Sequence, residues 1–181
     1  MTTRHGVPET GSVRIELLDD ATERDVEDLA AVLVDCVDGG ASVNFLAPLD
    51  PAVARAWWRA ALADPAPTWV ARDEDGTVVG CVRLALAPQP NAPHRAEVTK
   101  LLVTRSARGR GVAADLLAAL ESWAAAHGRH RLVLDTETGS PAQAVYERLG
   151  WTRVGMVPDY ALTAAGELTA TTILTKSLRE A

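Results

Sequence analysis

The spacing of apolar residues changes along the chain, and each spacing predicts a type of secondary structure. Residues 13–18 alternate apolar with polar side chains, as a strand does, whereas residues 22–37 repeat apolar side chains at helical intervals. Asp50 caps a helix well and Pro51 suits the first helical position, so together they predict a second helix over 51–63.

The middle of the chain predicts a hairpin, in which residues 67–86 form two strands around a turn at Asp75 and Gly76. The remaining pattern predicts, in chain order, a strand over 95–104, a helix over 111–127, a strand over 131–135, a short helix over 142–149 and two strands over 151–157 and 168–178. Because helices and strands do not alternate regularly, we expect a mixed α/β domain rather than a repeated βαβ fold.

The length and the composition of the chain suggest a single domain. With 181 residues, the chain can bury a core without metal or disulfide staples. Residues 1–12 are polar and are expected to form a flexible tail, which leaves 13–181 as one domain. Since the tail lacks an apolar secretion signal and no apolar run is long enough to span a membrane, we expect a cytoplasmic protein with no membrane partner. Cys36 and Cys81 lie in apolar runs without metal-ligand spacing and are expected to be buried free thiols.

The distribution of charge narrows the range of partners. The net charge of −6 disfavours nucleic-acid binding, which relies on basic surface. The densest positive charge lies in residues 104–117, "TRSARGRGVAADLL", where three arginines and two glycines stand at the start of an apolar helix. A helix start presents unpaired N–H groups and the positive end of the helix dipole, so this segment favours a polyanionic ligand.

Three interpretations fit this arginine–glycine segment. It could be a solvated loop. It could be a dinucleotide fingerprint, because residues 109–114 match G-x-G-x-x-A. It could also be a pyrophosphate loop of another kind, because residues 108–113 match Q/R-x-x-G-x-G/A. A dinucleotide fingerprint needs its first glycine directly at the end of a strand, whereas residues 104–108 intervene here. The chain also lacks the repeated βαβ units that would support a dinucleotide-binding fold. We therefore favour the other pyrophosphate loop.

Two motifs in sequence order resemble those of the GNAT superfamily of acyl-CoA N-acyltransferases. They are "VTKLLVTRSARGRGVAADLL" and, after the apolar strand "RLVLD", "AQAVYERLGW". The resemblance implies the GNAT fold, a mixed central sheet of about seven strands, splayed at the cofactor site and flanked by about four helices. It also implies acetyl-CoA as co-substrate and no metal. Further segments, such as "GGASVNFLAPLD", resemble the tabtoxin-resistance group of this superfamily, which acetylates a β-lactam toxin.

The resemblance assigns cofactor binding to two neighbouring segments. In the superfamily, backbone groups of the strand residues that correspond to Leu101, Leu102 and Val103 pair with pantetheine beside a bulge. The pyrophosphate would lie against the loop and the helix start, which comprise Arg108, Gly109, Arg110, Gly111, Val112, Ala113 and Ala114. The loop arginines, with Arg105, would contact the phosphates.

Three residues are candidates for the proton transfers that N-acetylation requires. Glu97, in a strand, is the candidate general base, although on its own it could be a solvated strand residue. Asp135 ends the central apolar strand and could be a second base, an anchor for the substrate amine or a cap of the following turn. Tyr146 would protonate the leaving thiolate, although a tyrosine on a short helix is ordinarily a packing residue. Many superfamily members carry Asn where "GSPAQ" stands here, and Ser140 is expected to cap this helix instead.

The acceptor is predicted to be a primary amine of a small molecule, such as an antibiotic, a toxin or an amino-acid-like metabolite. Ser42, Asn44 and Phe45 in the glycine-rich loop, together with Tyr160 in a second loop, are candidates for contacting it. Two alternatives remain open, namely acetylation of proteins or peptides, which needs an open groove, and a catalytically silent acetyl-CoA-binding module. We expect a monomer or a homodimer.

Overall fold

Seven strands form one sheet in the computed structural model, which describes residues 13–179; the predicted flexible tail, residues 1–12, lies outside the described residues, as do residues 180–181. The strands are β1 (Arg14–Leu17), β2 (Thr68–Arg72), β3 (Val78–Leu86), β4 (Arg95–Val103), β5 (Arg131–Glu137), β6 (Thr152–Leu162) and β7 (Leu168–Ser177). Their order in the sheet is β1-β2-β3-β4-β5-β7-β6, and every neighbouring pair is antiparallel except β4 with β5.

Four α-helices accompany the sheet in the described part of the chain. They are α1 (Glu23–Asp38), α2 (Pro51–Ala63), α3 (Val112–Ala126) and α4 (Pro141–Arg148), and a 3-10 turn at Arg105–Ala107 precedes α3. The predicted mixed sheet of seven strands with four helices is therefore confirmed. The structure also confirms the hairpin, the central strand and the beginning of the second helix at Asp50. The Asp50 carboxylate accepts a hydrogen bond from the Ala52 N–H at 2.7 Å.

The apolar core lies on both faces of the sheet. On one face, α1 and α2 bury Leu33 and Trp58 against Val70 and Cys81 of the sheet. On the other face, α3 and α4 bury another set against the central strands, which includes Val82, Leu84, Leu116, Leu120, Leu132 and Tyr146. Both cysteines are buried and free, as expected. Each residue of a central strand thus faces either the α1–α2 side or the α3 side, which decides where the polar residues of β4 and β5 lie.

Two strands extend further than the sequence pattern predicts. β5 continues through Thr136 to Glu137, because both residues pair with β7. The segment around Tyr160 is predicted as a loop, but it belongs to β6, which pairs with β7 as far as Leu162. A bulge that includes Asp159, at φ +48°, lets this strand continue past Pro158, which has no N–H to donate.

The start of α1 contains a buried carboxylate whose protonation is linked to stability. Asp25 accepts from the Thr22 N–H at 2.7 Å and from the Arg72 guanidinium at 2.6 Å. Burial acts to raise the pKa of Asp25, but these hydrogen bonds, those from the Thr22 hydroxyl and the Arg72 charge outweigh it, so the pKa lies below its ordinary value. The ionised form therefore stabilises the fold above the unfolded-state pKa, and this contribution is lost as pH falls through the folded-state pKa.

Asp25→Asn is expected to lower the free energy of unfolding at pH 7 by about 2 kcal/mol, because Arg72 then loses one of its two carboxylate partners and retains the ion pair with Glu16. The difference from wild type should begin to shrink below about pH 4, where the carboxyl of the unfolded state becomes protonated, and should disappear as pH falls through the lower folded-state pKa. Urea denaturation at several pH values measures the free energy of unfolding of each protein and its dependence on pH. Glu23→Gln, which removes an exposed acid of the same helical turn, is the matched control and should change little. A pH-independent loss in Asp25→Asn would contradict the linkage.

Candidate active site

The sheet opens between β4 and β5. These parallel strands pair only where Arg95 to Glu97 face Arg131 to Val133, although β4 continues to Val103 and β5 to Glu137. Beyond Glu97, the two strands diverge and leave a wedge, and the adjacent edge of β4 pairs with no strand among the described residues. The predicted splay is confirmed, and it exposes backbone groups that an extended ligand can pair with.

A β-bulge in β4 lies at this wedge. The register changes from Arg83 opposite Thr99 to Cys81 opposite Leu102, so β4 carries one more residue than β3. Lys100 adopts φ +52° there. Strand alternation would place Lys100 with the buried Ala96 and Val98 on the α3 side, but the bulge turns its side chain to the α1–α2 side. Lys100 is not among the site residues predicted from the sequence. The sequence feature that marks it is a lysine within the otherwise largely apolar strand "EVTKLLV".

The start of α3 presents a set of unpaired N–H groups. Gly109 and Gly111 have φ values of +77° and +84°, which favour glycine, and a Cβ atom at either position would meet nothing closer than 4.0 Å. Backbone conformation, rather than crowding by the protein, therefore requires glycine here. The N–H groups of Gly109, Gly111, Val112 and Ala113 donate no hydrogen bond within residues 13–179. Such a group of donors at a helix start suits an anionic ligand.

The three loop arginines have different surroundings. Arg105 pairs with Asp35 at 2.9 Å, and Arg110 pairs with Asp73 at 3.1 Å. The Arg110 guanidinium holds the pKa of Asp73 below its ordinary value. Arg108 is exposed, and its Nε donates to a backbone carbonyl of β4 at 3.3 Å. The loop is therefore less positive than its sequence suggests, and the backbone donors gain in importance for an anion. The binding roles of Arg108 and Arg110 stay predictions.

Glu97 and Asp135 lie on the same side of the sheet, at the wedge. Glu97 pairs with Val133, which precedes Asp135 by two residues on β5, so alternation directs both carboxylates to the α1–α2 side. Glu97 is exposed and makes no hydrogen bond or ion pair within the described residues. Asp135 accepts a hydrogen bond from the Thr171 hydroxyl at 3.0 Å. Ser140, rather than Asp135, caps the turn into α4, as expected.

Tyr146 is buried beside the wedge. Its ring contacts Trp151 edge to face, with ring centroids 5.7 Å apart. Burial, with a smaller contribution from the negative charge of Asp135, raises the pKa of the phenol. The hydroxyl makes no hydrogen bond within residues 13–179, so it remains a neutral donor available to a ligand in the wedge.

The loop at residues 39–50 covers the α1–α2 side of the wedge. Its Phe45 ring packs edge to face on Trp57 at 5.8 Å, and Asn44 has φ +70°. The Ala47 N–H donates to the Ala164 carbonyl at 2.8 Å, which holds the loop against the β6–β7 turn. Ser42 is half-buried and Tyr160 is exposed on β6. The two segments predicted to contact the acceptor are thus neighbours, and their contacts with it stay predictions.

The described residues offer neither a metal cluster nor a membrane-spanning helix. Residues 13–179 contain no group of three or more His, Cys, Asp or Glu side chains that could hold a metal ion. None of the described helices is long and apolar enough to cross a membrane.

Comparisons with known proteins agree with this architecture. The chain is 30% identical over 142 residues to an L-methionine sulfoximine/L-methionine sulfone acetyltransferase of Pseudomonas paraeruginosa, which covers 77% of this chain and 82% of the relative. A phosphinothricin acetyltransferase from Sinorhizobium meliloti, solved with AcCoA, superposes with TM-score 0.74 at 20% identity, over 93% of this chain and 88% of that one. A ribosomal-protein-alanine N-acetyltransferase from Brucella melitensis superposes with TM-score 0.69 at 26% identity, over 92% of this chain and 99% of that one.

The match to a family model covers most of the candidate site. Residues 38–151 match the acetyltransferase (GNAT) family, from the end of α1 through the wedge and the α3 start to the residue before β6. The family match and the two Pseudomonas relatives therefore identify an acyltransferase of the EC 2.3.1 class. The chain belongs to the GNAT family of acetyltransferases.

Proposed function

We propose that this enzyme transfers the acetyl group of acetyl-CoA to the primary amine of a small, amino-acid-like molecule. One observation carries the proposal: the opening between β4 and β5 has Glu97 and Asp135 at it and Tyr146 beside it, and β4 is followed by a helix start whose N–H groups have no partner within residues 13–179. The Pseudomonas relatives are named for two amino-acid derivatives, and the Sinorhizobium structure contains AcCoA.

The wedge and the α3 start fit acetyl-CoA. The N–H groups of Gly109, Gly111, Val112 and Ala113 would hold the pyrophosphate, with Arg108, which forms no ion pair within residues 13–179, as the nearby cation. The unpaired edge of β4, from Leu101 to Val103, would hold pantetheine as an added strand. When bound, acetyl-CoA supplies an activated thioester, and a β4 N–H polarises its carbonyl.

Proton transfer would be divided among three side chains. An alkyl amine with a pKa of about 10.4 is roughly one part in a thousand neutral at pH 7, so a base must remove a proton. Glu97, without a partner in the described residues, would accept it directly or through water, while Asp135, held by Thr171, positions the amine. The amine nitrogen would then form a bond to the acetyl carbon as the carbon–sulfur bond breaks, and the nitrogen would release a second proton to water to give the amide. Tyr146 would donate its phenolic proton to the thiolate and be reprotonated from water.

Tyr146→Phe is expected to lower kcat about tenfold, a modest effect because a thiolate with a pKa of about 8.5 already leaves readily. The ring keeps its contact with Trp151, so the Kd for acetyl-CoA should remain close to wild type. Steady-state kinetics and calorimetry measure the two quantities. A variant with full kcat would make Tyr146 a packing residue only.

Acceptor identity is tested by mixing the enzyme and acetyl-CoA with a panel of amines and measuring thiol release, with mass spectrometry of the product. The panel contains L-methionine sulfone, L-methionine sulfoximine, phosphinothricin, tabtoxinine-type β-lactams, aminoglycosides, polyamines and an N-terminal alanine peptide. We expect the amino-acid derivatives to react fastest. If only the peptide reacts, the enzyme is a peptide acetyltransferase, like the named function of the Brucella neighbour. Binding of acetyl-CoA without turnover of any amine would indicate a silent module.

A further inference from the structure

We propose that Lys100 binds the carboxylate of the acceptor and thereby selects amino acids over simple amines. The proposal rests on the proposed function and adds a specificity-determining residue to it. It starts from the bulge in β4, which turns Lys100 to the α1–α2 side of the wedge, where Glu97 and Asp135 also lie.

Lys100 differs from the other lysine in its partners. The chain has 16 arginines and only two lysines. Lys176 lies on the α3 side, where its Nζ donates to both oxygens of Glu121 at 2.8 and 2.7 Å and to the Leu149 carbonyl at 2.8 Å. The Lys100 Nζ donates once, to the Val43 carbonyl at 3.0 Å, and pairs with no carboxylate in the described residues. An ammonium group has three donors, so Lys100 keeps two for a ligand.

The surroundings of Lys100 make an incoming anion favourable. The Nζ lies 5.0 Å from the ring centre of Trp57 and 5.7 Å from that of Phe45, contacts that hold it in place without neutralising its charge. Burial lowers the pKa of Lys100, and the charge of Arg83 lowers it further, while Asp135 acts in the opposite direction. A partly desolvated ammonium without a carboxylate partner is costly, and a bound carboxylate would both remove this cost and favour the charged form.

The arrangement of charges matches an α-amino acid. Asp135 and Lys100 both lie on the α1–α2 side of the wedge and form no ion pair with each other, so opposite charges face the same region without contact. An α-amino acid carries its amine and its carboxylate on one carbon atom. With the amine at Glu97 and Asp135, the carboxylate would therefore lie toward Lys100. Arg83 adds positive potential, although its guanidinium already donates to the Thr68 hydroxyl at 3.0 Å and the Ala61 carbonyl at 2.6 Å.

A purely structural role for Lys100 makes a different prediction. The hydrogen bond to Val43 and the two ring contacts also hold the loop at residues 39–50. If that were the whole role, removal of the charge would impair every acceptor equally. If Lys100 binds a carboxylate, the loss is confined to acceptors that have one.

The test compares L-methionine sulfone with its decarboxylated counterpart, methylsulfonylpropylamine. Wild type should prefer the amino acid in kcat/KM, and Lys100→Met should reduce this preference about tenfold or more, chiefly through KM of the amino acid. Lys176→Met, the same substitution on the opposite face, should leave the preference unchanged. Equal losses for both acceptors in Lys100→Met, or a wild type without preference, would overturn the proposal. If wild type acetylates neither amine, it is the proposed function that fails.

A second measurement needs no variant of Lys100. Since the chain has two lysines, selective isotopic labelling of the Nζ atoms gives two NMR signals, which the Lys176→Met spectrum assigns. In the complex with coenzyme A, which lacks an acetyl group to transfer, L-methionine sulfone should shift the Lys100 signal, and the decarboxylated amine should shift it much less. Equal shifts with the two ligands would overturn the assignment even if Lys100→Met folds poorly.

Discussion

Glu97→Gln is expected to lower kcat/KM for the acceptor amine by about a hundredfold or more, the usual effect of removing a general base. The amide keeps the size of the side chain but cannot take up the proton of the ammonium. The Kd for acetyl-CoA should stay close to wild type, because Glu97 lies before the unpaired edge of β4 and away from the α3 start. Thiol-release kinetics and calorimetry on the same preparation measure both quantities.

The pH profile tests the identity of the base. In wild type, kcat/KM should fall on the acidic side as the base becomes protonated, and this limb should disappear in Glu97→Gln. If the limb survives in Glu97→Gln and disappears in Asp135→Asn, Asp135 is the base and Glu97 positions the amine. Glu27→Gln is the matched control, since it changes an exposed glutamate of α1 that pairs with Arg55 at 3.5 Å, and it should retain both the rate and the profile.

Gly111→Glu is expected to weaken acetyl-CoA binding by about a hundredfold, which corresponds to roughly 2.7 kcal/mol. The substitution places a carboxylate beside the N–H groups of residues 109–113, where the pyrophosphate would lie, so that two anions would compete for the same donors. Titration calorimetry with acetyl-CoA and with dephospho-CoA measures the loss. Both ligands carry the pyrophosphate, so both should lose affinity to a similar degree.

Backbone strain must be separated from the effect of charge in this experiment. Gly111 has φ +84°, so any side chain there strains the start of α3. Gly128, after the end of the same helix, has φ +74° and open space around it, so Gly128→Glu imposes comparable strain and the same charge at the far end. Gly128→Glu should keep its affinity for acetyl-CoA. Unchanged affinity in a folded Gly111→Glu variant would show that the pyrophosphate binds elsewhere.

Most of the fold was predictable because its signals are local. Helical spacing in α1, the cap at Asp50 and the turn at Gly76 each depend on residues a few positions apart. The candidate carboxylates were assigned from the resemblance to the GNAT motifs, and their roles stay predictions. The ends of β5 and β6 were misjudged because they depend on pairing with β7, and sequence pattern does not show where a partner strand stops.

The residues around the wedge show where local information ends. A glycine-rich helix start and the GNAT motifs can be read along the chain, because they are contiguous and depend on backbone conformation alone. The pairing of Arg110 with Asp73 and the position of Lys100 on the α1–α2 side cannot be read in this way, since each depends on a segment distant in sequence. The bulge that turns Lys100 exists only in the register between β3 and β4. Register and long-range pairing result from packing of the whole sheet, so only the tertiary structure determines which charges meet in the site.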